Sequence, residues 1–93
     1  MHQVYMLLLE NGRFYVGSTE DLDRRYQEHL SGKGAKATRE SPPVKILYTE
    51  DHPDRSSAIK RELQLKNWTH AKKLALAESR LDDLKHLARR RVR

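Results

Sequence analysis

The chain has 93 residues, 37% of them hydrophobic, and carries a formal net charge of +6. This length favours one domain with a small core, and the absence of cysteine excludes disulfide frameworks and thiolate metal sites. No apolar run approaches the ~20 residues that a membrane span needs, and no secretory signal opens the chain, so we expect a cytoplasmic protein. The positive net charge predicts polyanionic partners.

The first predicted elements form a β-hairpin. Residues 3–9 are a continuous apolar run, which favours a buried strand. Asn11 and Gly12 both tolerate positive φ and predict a tight turn. The second strand then covers residues 13–17 and ends at Gly17, where the missing side chain lets a backbone or a phosphate approach.

A helix is predicted over about residues 19–30. Ser18 begins a segment that combines hydroxyl cap candidates with acidic residues, as helix starts often do. Every fourth residue contributes to an apolar stripe that we expect to face the sheet: Leu22, Tyr26 and Leu30. Arg25 and His29 flank this stripe, so we expect them at the edge of the core.

A basic loop connects this helix to a third strand. Residues 31–39 are mostly small and include three cations: Lys33, Lys36 and Arg39. Pro42 and Pro43 favour extended backbone, and the strand formers after them predict a strand over residues 44–49.

The second predicted helix spans about residues 54–67. Its expected buried face contains three apolar residues: Ala58, Ile59 and Leu63. Glu62 follows Ile59 by three positions, as Arg25 follows Leu22. If both helices pack on one sheet, their charged residues reach a shared rim.

The remaining residues predict two short helices. Thr69 is a cap candidate for a helix over residues 70–78 with Leu74 as its anchor, and a basic last helix covers about residues 80–90. The predicted architecture is therefore α+β, with a small three-stranded antiparallel sheet flanked by helices.

Four short segments resemble the GIY-YIG nuclease superfamily. They are Val4-Tyr5 in the first strand, Tyr15-Val16-Gly17 in the second, Arg25 in the first helix and Glu62 in the second. Gln3 and Val4 stand where the superfamily usually has Gly and Ile. The resemblance runs from about residue 3 to residue 76. Residues 31–36 most resemble the corresponding segment in a group of small, single-domain members of the superfamily.

The resemblance implies a nuclease domain over residues 1–78, followed by a basic helical extension over residues 79–93. It also implies a metal-dependent endonuclease that acts on DNA in preference to RNA. A separate DNA-binding module gives specificity in large members, and a 93-residue chain has no room for one. We therefore expect weak or structure-selective binding, or a partner protein that supplies specificity.

The resemblance also implies the roles of five site residues. Tyr15 is a candidate general base for the attacking water, with Tyr5 as the hydrogen-bonding partner of the site. Arg25 is a candidate to bind two phosphate oxygens through parallel hydrogen bonds from its guanidinium. Glu62 is the candidate ligand of Mg²⁺ or Mn²⁺, since magnesium needs only one or two protein carboxylates. His29 is a candidate to orient the nucleophile or contact phosphate.

Four further cations are candidate nucleic-acid contacts: Lys33, Lys36, Arg39 and Lys66. Each site residue also has a structural interpretation. Tyr15 is then a packing aromatic, Arg25 a solvated helix cation, and Glu62 the partner of Lys66 one turn later. Two other functions follow from these interpretations. One is a non-catalytic nucleic-acid-binding module, and the other is an adaptor whose basic last helix docks on an acidic partner.

Overall fold

The computed structural model describes residues 1–79 and confirms the α+β prediction, with a three-stranded antiparallel sheet flanked by helices. The strands are β1 (His2–Leu9), β2 (Phe14–Thr19) and β3 (Pro43–His52). The helices are α1 (Leu22–Leu30), α2 (Lys36–Glu40) and α3 (Arg55–Lys66), and residues 70–79 form a helix that we call α4. The predicted helix over residues 80–90 and its basic terminus lie outside the described residues.

The central strand is β1, and its length determines the length of both neighbours. His2 pairs with His52 on β3, and Gln3 pairs with Thr19 on β2. Because β1 begins at residue 2, the ladder extends both partner strands beyond their predicted ends at residues 17 and 49. Both β2 and β3 are edge strands, since the order in the sheet is β2-β1-β3.

The hairpin turn uses one positive φ angle, not two. The Gly12 N–H donates to the Leu9 carbonyl, and Gly12 has φ +83°. Asn11 stays at negative φ, and its side-chain oxygen accepts a hydrogen bond from the Arg13 N–H at 2.9 Å. The turn is therefore a type I turn followed by a left-handed glycine.

Helix α1 begins later than predicted. Ser18 and Thr19 belong to β2, and the N-cap is Asp21, whose carboxylate accepts a hydrogen bond from the Arg24 N–H at 3.1 Å. Aspartate caps helices as well as serine does, so sequence alone does not choose between them. Asp54 caps α3 in the same way, and Thr69 accepts from the Lys72 N–H, as predicted for a cap.

Residues 36–40 were predicted as loop and instead form α2. A helix of five residues is too short to show an apolar period, so no sequence pattern predicts it.

The sheet separates two apolar clusters. Tyr5, Leu7 and Leu9 pack on one face with residues of α1. The other face carries the larger cluster, formed by β1, β2, α3 and α4: Val4, Met6, Val16, Ala58, Leu65 and Ala77. Helices α1 and α3 therefore cover opposite faces of the sheet. Within residues 1–79, no helix is both long and apolar enough to cross a bilayer.

Three leucines predicted to be buried are exposed: Leu30 (44%), Leu63 (57%) and Leu74 (39%). In α3 the buried positions are Ala58 and Leu65, seven residues apart, so the inward face is rotated from the predicted one. Because charged residues interrupt the apolar stripe of this helix, the sequence does not show which face is buried. Packing against the sheet determines it.

Leu65→Ala is expected to lower the free energy of unfolding by about 2–5 kcal/mol, because Leu65 is 1% exposed and its truncation leaves a cavity. Leu63→Ala makes the same chemical change two residues away and is expected to cost less than about 1 kcal/mol. Urea denaturation of both variants measures the difference. A larger loss for Leu63→Ala than for Leu65→Ala would show that α3 buries the other face.

Candidate active site

Strand alternation places two tyrosines on the same face of the sheet. Tyr5 lies opposite Gly17 of β2, and Tyr15 precedes that glycine by two residues. The rings of Tyr5 and Tyr15 are tilted by 42°, with centroids 6.3 Å apart. Tyr5 is 2% exposed in the central strand, whereas Tyr15 is half-buried on the edge strand. Tyr15 is therefore the tyrosine of this pair that reaches solvent.

Gly17 makes room for Tyr5. A Cβ atom at residue 17 would lie 2.5 Å from the Tyr5 hydroxyl oxygen and 2.6 Å from Cζ of the same ring. Interiors are close-packed, so any larger residue would displace the phenol. The missing side chain thus admits the ring of Tyr5, and not the backbone or phosphate that we expected.

A buried hydrogen bond joins Tyr5 to His29. The Tyr5 oxygen lies 2.8 Å from Nε2 of His29, and Nδ1 of the same imidazole lies 2.8 Å from Oγ1 of Thr38. Thr38 donates its single hydroxyl proton to the Ala35 carbonyl oxygen at 2.9 Å. Thr38 must therefore accept from Nδ1–H, which leaves Nε2 to accept the Tyr5 proton.

The loop before α2 holds His29 in place. A Cβ atom at Gly34 would collide with Nδ1 of His29 and lie 2.9 Å from Oγ1 of Thr38. His29 is 1% exposed, so its predicted position at the edge of the core was wrong. The small residues of this loop and α2 cover the end of α1, which encloses the imidazole.

The cations of the same segment are exposed: Lys33, Lys36 and Arg39. Lys36 lies 3.8 Å from the carboxylate of Glu40 in a solvent-exposed pair. The segment therefore has two sides, one that packs on His29 and one that presents positive charge.

Burial controls the protonation of Tyr5 and His29. Burial and the neighbouring Tyr15 raise the pKa of Tyr5 to about 12, although the hydrogen bond from Arg25 acts in the opposite direction. Burial, and then the positive charge of Arg25, lower the pKa of His29. At neutral pH Tyr5 is protonated and His29 is neutral, as the hydrogen-bond directions require.

Arg25 meets the Tyr5 hydroxyl from α1. The hydrogen bonds of its guanidinium to Tyr5 and Glu28 raise the pKa of Arg25 despite the opposing effect of burial. Its Nη1 atom lies 3.3 Å from Oε1 of Glu28, and the side chain is 32% exposed. A guanidinium has five N–H donors, so several remain for phosphate oxygens.

Glu62 reaches the site from the opposite face, past the edge strand β2. Its Oε1 atom accepts a 2.6 Å hydrogen bond from the Ser18 hydroxyl, and its Oε2 atom lies 2.6 Å from Nζ of Lys66. Nζ of Lys66 also lies 6.0 Å from the centroid of the Tyr15 ring. The Glu62 charge also makes a small contribution to the raised pKa of Tyr5, after burial and the neighbouring Tyr15.

The structure thus brings four of the five predicted site residues together around the Tyr5 hydroxyl: Tyr5, Tyr15, Arg25 and His29. Glu62 lies at the adjoining edge of β2, where its partner Lys66 approaches the ring of Tyr15. Sequence reasoning missed Ser18 and Thr38 as partners of this site. Alternation along β2 puts Ser18 on the face of Val16, which would have pointed to α3. Thr38 had no such signal, because its helix was not predicted.

The donor set of the site suits magnesium or manganese through a single carboxylate. In residues 1–79 no three His, Cys, Asp or Glu side chains are grouped to hold a metal ion. Mg²⁺ keeps several waters and accepts one or two carboxylate ligands, so Glu62 alone fits such an ion. The Lys66 ammonium would have to leave Oε2, or share it, because that oxygen is its partner.

Comparisons with known proteins identify a family and several relatives. The GIY-YIG catalytic domain family matches residues 1–75. A UPF0213 protein of Xanthomonas axonopodis pv. citri is 50% identical over 72 residues, covering 77% of this chain and 71% of its own. A UPF0213 protein of Halobacterium salinarum is 42% identical over 76 residues, covering 82% of this chain and 99% of its own.

Two solution NMR structures are similar in fold. The UPF0213 protein of Bacillus halodurans is 39% identical with a TM-score of 0.53, and the match covers 83% of this chain and 82% of that one. A protein of E. faecalis is also 39% identical, with a TM-score of 0.57 and 86% coverage of both chains.

The lowered pKa of His29 predicts a pH-dependent stability. The unfolded chain binds a proton near the ordinary histidine pKa of about 6.5, whereas folded His29 resists protonation until a lower pH. This contribution to stability is present above about pH 6.5 and is lost as pH falls towards the folded pKa. We expect the free energy of unfolding to decrease between about pH 7 and pH 5 in urea denaturation.

The matched variants are His29→Gln and His2→Gln. The first removes the buried imidazole and is expected to flatten the pH dependence, and the second is expected to keep it. A slope that survives His29→Gln would assign the titration to another group.

Proposed function

The chain belongs to the GIY-YIG family, whose domain is of the nuclease type, and we propose that it is an endonuclease that hydrolyses phosphodiester bonds in DNA with the help of a divalent cation. The observation that supports this proposal is that a guanidinium and two tyrosines lie around one buried histidine, with the Glu62 carboxylate at the adjoining edge of β2, where its partner Lys66 approaches the ring of Tyr15. These are the groups that phosphodiester hydrolysis needs for positioning, charge stabilisation and water activation.

The two tyrosines have different tasks in this proposal. Tyr5 keeps its proton, because its pKa is about 12 and its hydroxyl donates to His29. It therefore positions the other groups and does not act as the base. Tyr15 is half-buried, and its ring lies with its edge to His29 at a centroid distance of 5.1 Å. We therefore assign the contact with the attacking water to Tyr15.

Arg25 binds the phosphate oxygens of the bond to be cleaved. Its hydrogen bonds to Tyr5 and Glu28 hold the guanidinium at the site, so less conformational freedom is lost when phosphate binds. His29 acts through Tyr5, since its imidazole is buried and reaches no substrate.

Glu62 is the group that would hold Mg²⁺ or Mn²⁺. GIY-YIG nucleases generally use divalent metals. When bound, the ion supplies positive charge that steadies the leaving oxygen. Ser18 orients the carboxylate by its 2.6 Å hydrogen bond.

DNA is the proposed substrate, recognised by its backbone and shape. The exposed cations of the segment before β3 would contact phosphates: Lys33, Lys36 and Arg39. Lys66, once released from Glu62, would be a further contact. Such contacts position a strand without reading its bases, so selectivity would come from DNA structure or from a partner protein.

A non-catalytic nucleic-acid-binding module is the second candidate, and one observation favours it. Both carboxylate oxygens of Glu62 already have partners, Ser18 and Lys66, at 2.6 Å each. If this ion pair persists when the protein is bound to DNA, no metal is held and no bond is cleaved.

Glu62→Gln and Arg25→Lys are expected to reduce nicking of supercoiled or branched DNA by at least about 100-fold in the presence of Mg²⁺ or Mn²⁺. Glutamine removes the charge that holds the ion, and lysine keeps the charge of Arg25 but not its fork. Glu10→Gln, in the hairpin turn, makes the same change as Glu62→Gln at an exposed position and should cleave like the wild type.

Circular dichroism and thermal unfolding verify that each variant is folded. DNA binding by the wild-type protein without any metal-dependent cleavage would support the binding module. Equal cleavage by Glu62→Gln and the wild type would show that this carboxylate has no part in the reaction.

A further inference from the structure

A groove of about 480 Å³ opens beside Glu62, between the first turns of α1 and α3. Its lining comes from β1, from the end of β2 with Glu20 just beyond it, from Arg24 in the first turn of α1, and from Arg55, Ile59 and Glu62 of α3. Tyr15, Arg25 and His29 are not part of this lining. The groove therefore continues the site past Glu62, away from the tyrosines.

The groove contains two arginines with no role in the chemistry described above. Consecutive residues of a helix point about 100° apart, so Arg24 and Arg25 face different surroundings. Arg25 is bound to Tyr5 and Glu28, whereas Arg24 lines the groove. Arg55 enters from the first turn of α3, on the face that also carries Glu62.

Both groove arginines keep their charge uncompensated within the described chain. Arg25 pairs with Glu28, and Arg61 lies 2.8 Å from the carboxylate of Glu50. Across residues 1–79, neither Arg24 nor Arg55 has a carboxylate within 4.0 Å. Two unpaired guanidinium groups on opposite walls of a groove are suited to an anion with several oxygens.

The other lining residues restrict the identity of that anion. Ile59 is the one apolar residue of the described lining, and the imidazole of His2 is its one aromatic ring, so the lining offers no pair of rings between which a base would be held. The Glu62 charge is already balanced by Lys66, which leaves Glu20 as the single unpaired carboxylate. The groove thus has a net positive charge. Its lining suits a sugar–phosphate backbone better than a nucleic-acid base.

The geometry of α3 gives the spacing. Arg55 and Glu62 are seven residues apart on one face, which is about 10 Å along the helix axis. A strand of B-form DNA rises ~3.4 Å per nucleotide, so this distance corresponds to roughly two or three nucleotides.

We propose that the groove binds the backbone phosphate two or three nucleotides from the cleaved bond, with Arg24 and Arg55 as its ligands. This proposal rests on the proposed function, because it takes the bond near Glu62 as the reference point. This second contact with the strand does not depend on base sequence. It determines which phosphodiester bond lies next to Glu62.

The binding test compares Arg24→Gln and Arg55→Gln with Lys45→Gln. Lys45 is exposed and pairs with Leu8, at the end of β1 remote from His2 and the groove, so its change of charge is a matched control. Fluorescence anisotropy with a short labelled DNA duplex, in chelator and without divalent metal, measures affinity over a range of salt concentrations.

Each groove variant is expected to bind about tenfold more weakly than the wild type at low salt and to reduce the slope of log K against log salt by about one. Lys45→Gln is expected to stay close to the wild type in both quantities. Groove variants within twofold of Lys45→Gln would overturn the proposal, as would the absence of DNA binding by the wild type.

A second measurement tests the register. A single neutral methylphosphonate is placed two or three nucleotides from the bond that the wild type nicks. It should slow nicking by the wild type and by Lys45→Gln, and slow Arg24→Gln by a smaller factor, because that variant has already lost one of the two contacts to this phosphate. Additive effects at that linkage would overturn the assignment.

The two proposals can fail separately. If the wild type binds DNA but does not nick it, the endonuclease function is wrong, and the affinities of the groove variants alone decide whether Arg24 and Arg55 bind phosphate. If nicking is normal and the groove variants bind like the control, the groove assignment alone is wrong.

Discussion

The site depends on one buried hydrogen bond, from the Tyr5 hydroxyl to Nε2 of His29. Two glycines are required for it, since Gly17 admits the phenol and Gly34 admits the imidazole. Thr38 determines its direction by accepting from the opposite ring nitrogen. Residues from β1, β2, α1 and the segment before β3 thus form this one hydrogen bond or make room for it. An unpaired polar group at this depth would be costly, so the contact also specifies how these elements pack.

The second constraint is the edge position of β2. Helices α1 and α3 lie on opposite faces of the sheet, so their functional residues meet only where the sheet ends. Ser18 and Lys66 hold the Glu62 carboxylate at this edge, and Lys66 extends towards the ring of Tyr15. A fourth strand beyond β2 would separate the carboxylate from the tyrosines. The proposed site therefore requires that this edge of the sheet stay uncovered.

The sequence predicted three strands, the main helices and the residues that gather at the site. It was less informative where competing local signals were equally good. Ser18 and Asp21 are both acceptable caps, and pairing with β1 made the first a strand residue. Leu63 and Leu65 are equally apolar, and packing against the sheet chose the second. Local preferences of a few tenths of a kcal/mol are easily overridden by such burial.

By itself, the sequence determined the class of fold and the positive charge, because these follow from residue type and period along the chain, and its resemblance to a family named the candidate site residues. Only the tertiary structure decided what each group faces. Gly17 faces a phenol, the histidine predicted at the rim is buried, and Arg24 and Arg25 serve different surfaces. The physical reason is that side-chain surroundings are created by contacts between residues distant in sequence, such as Tyr5 with His29 and Ser18 with Glu62.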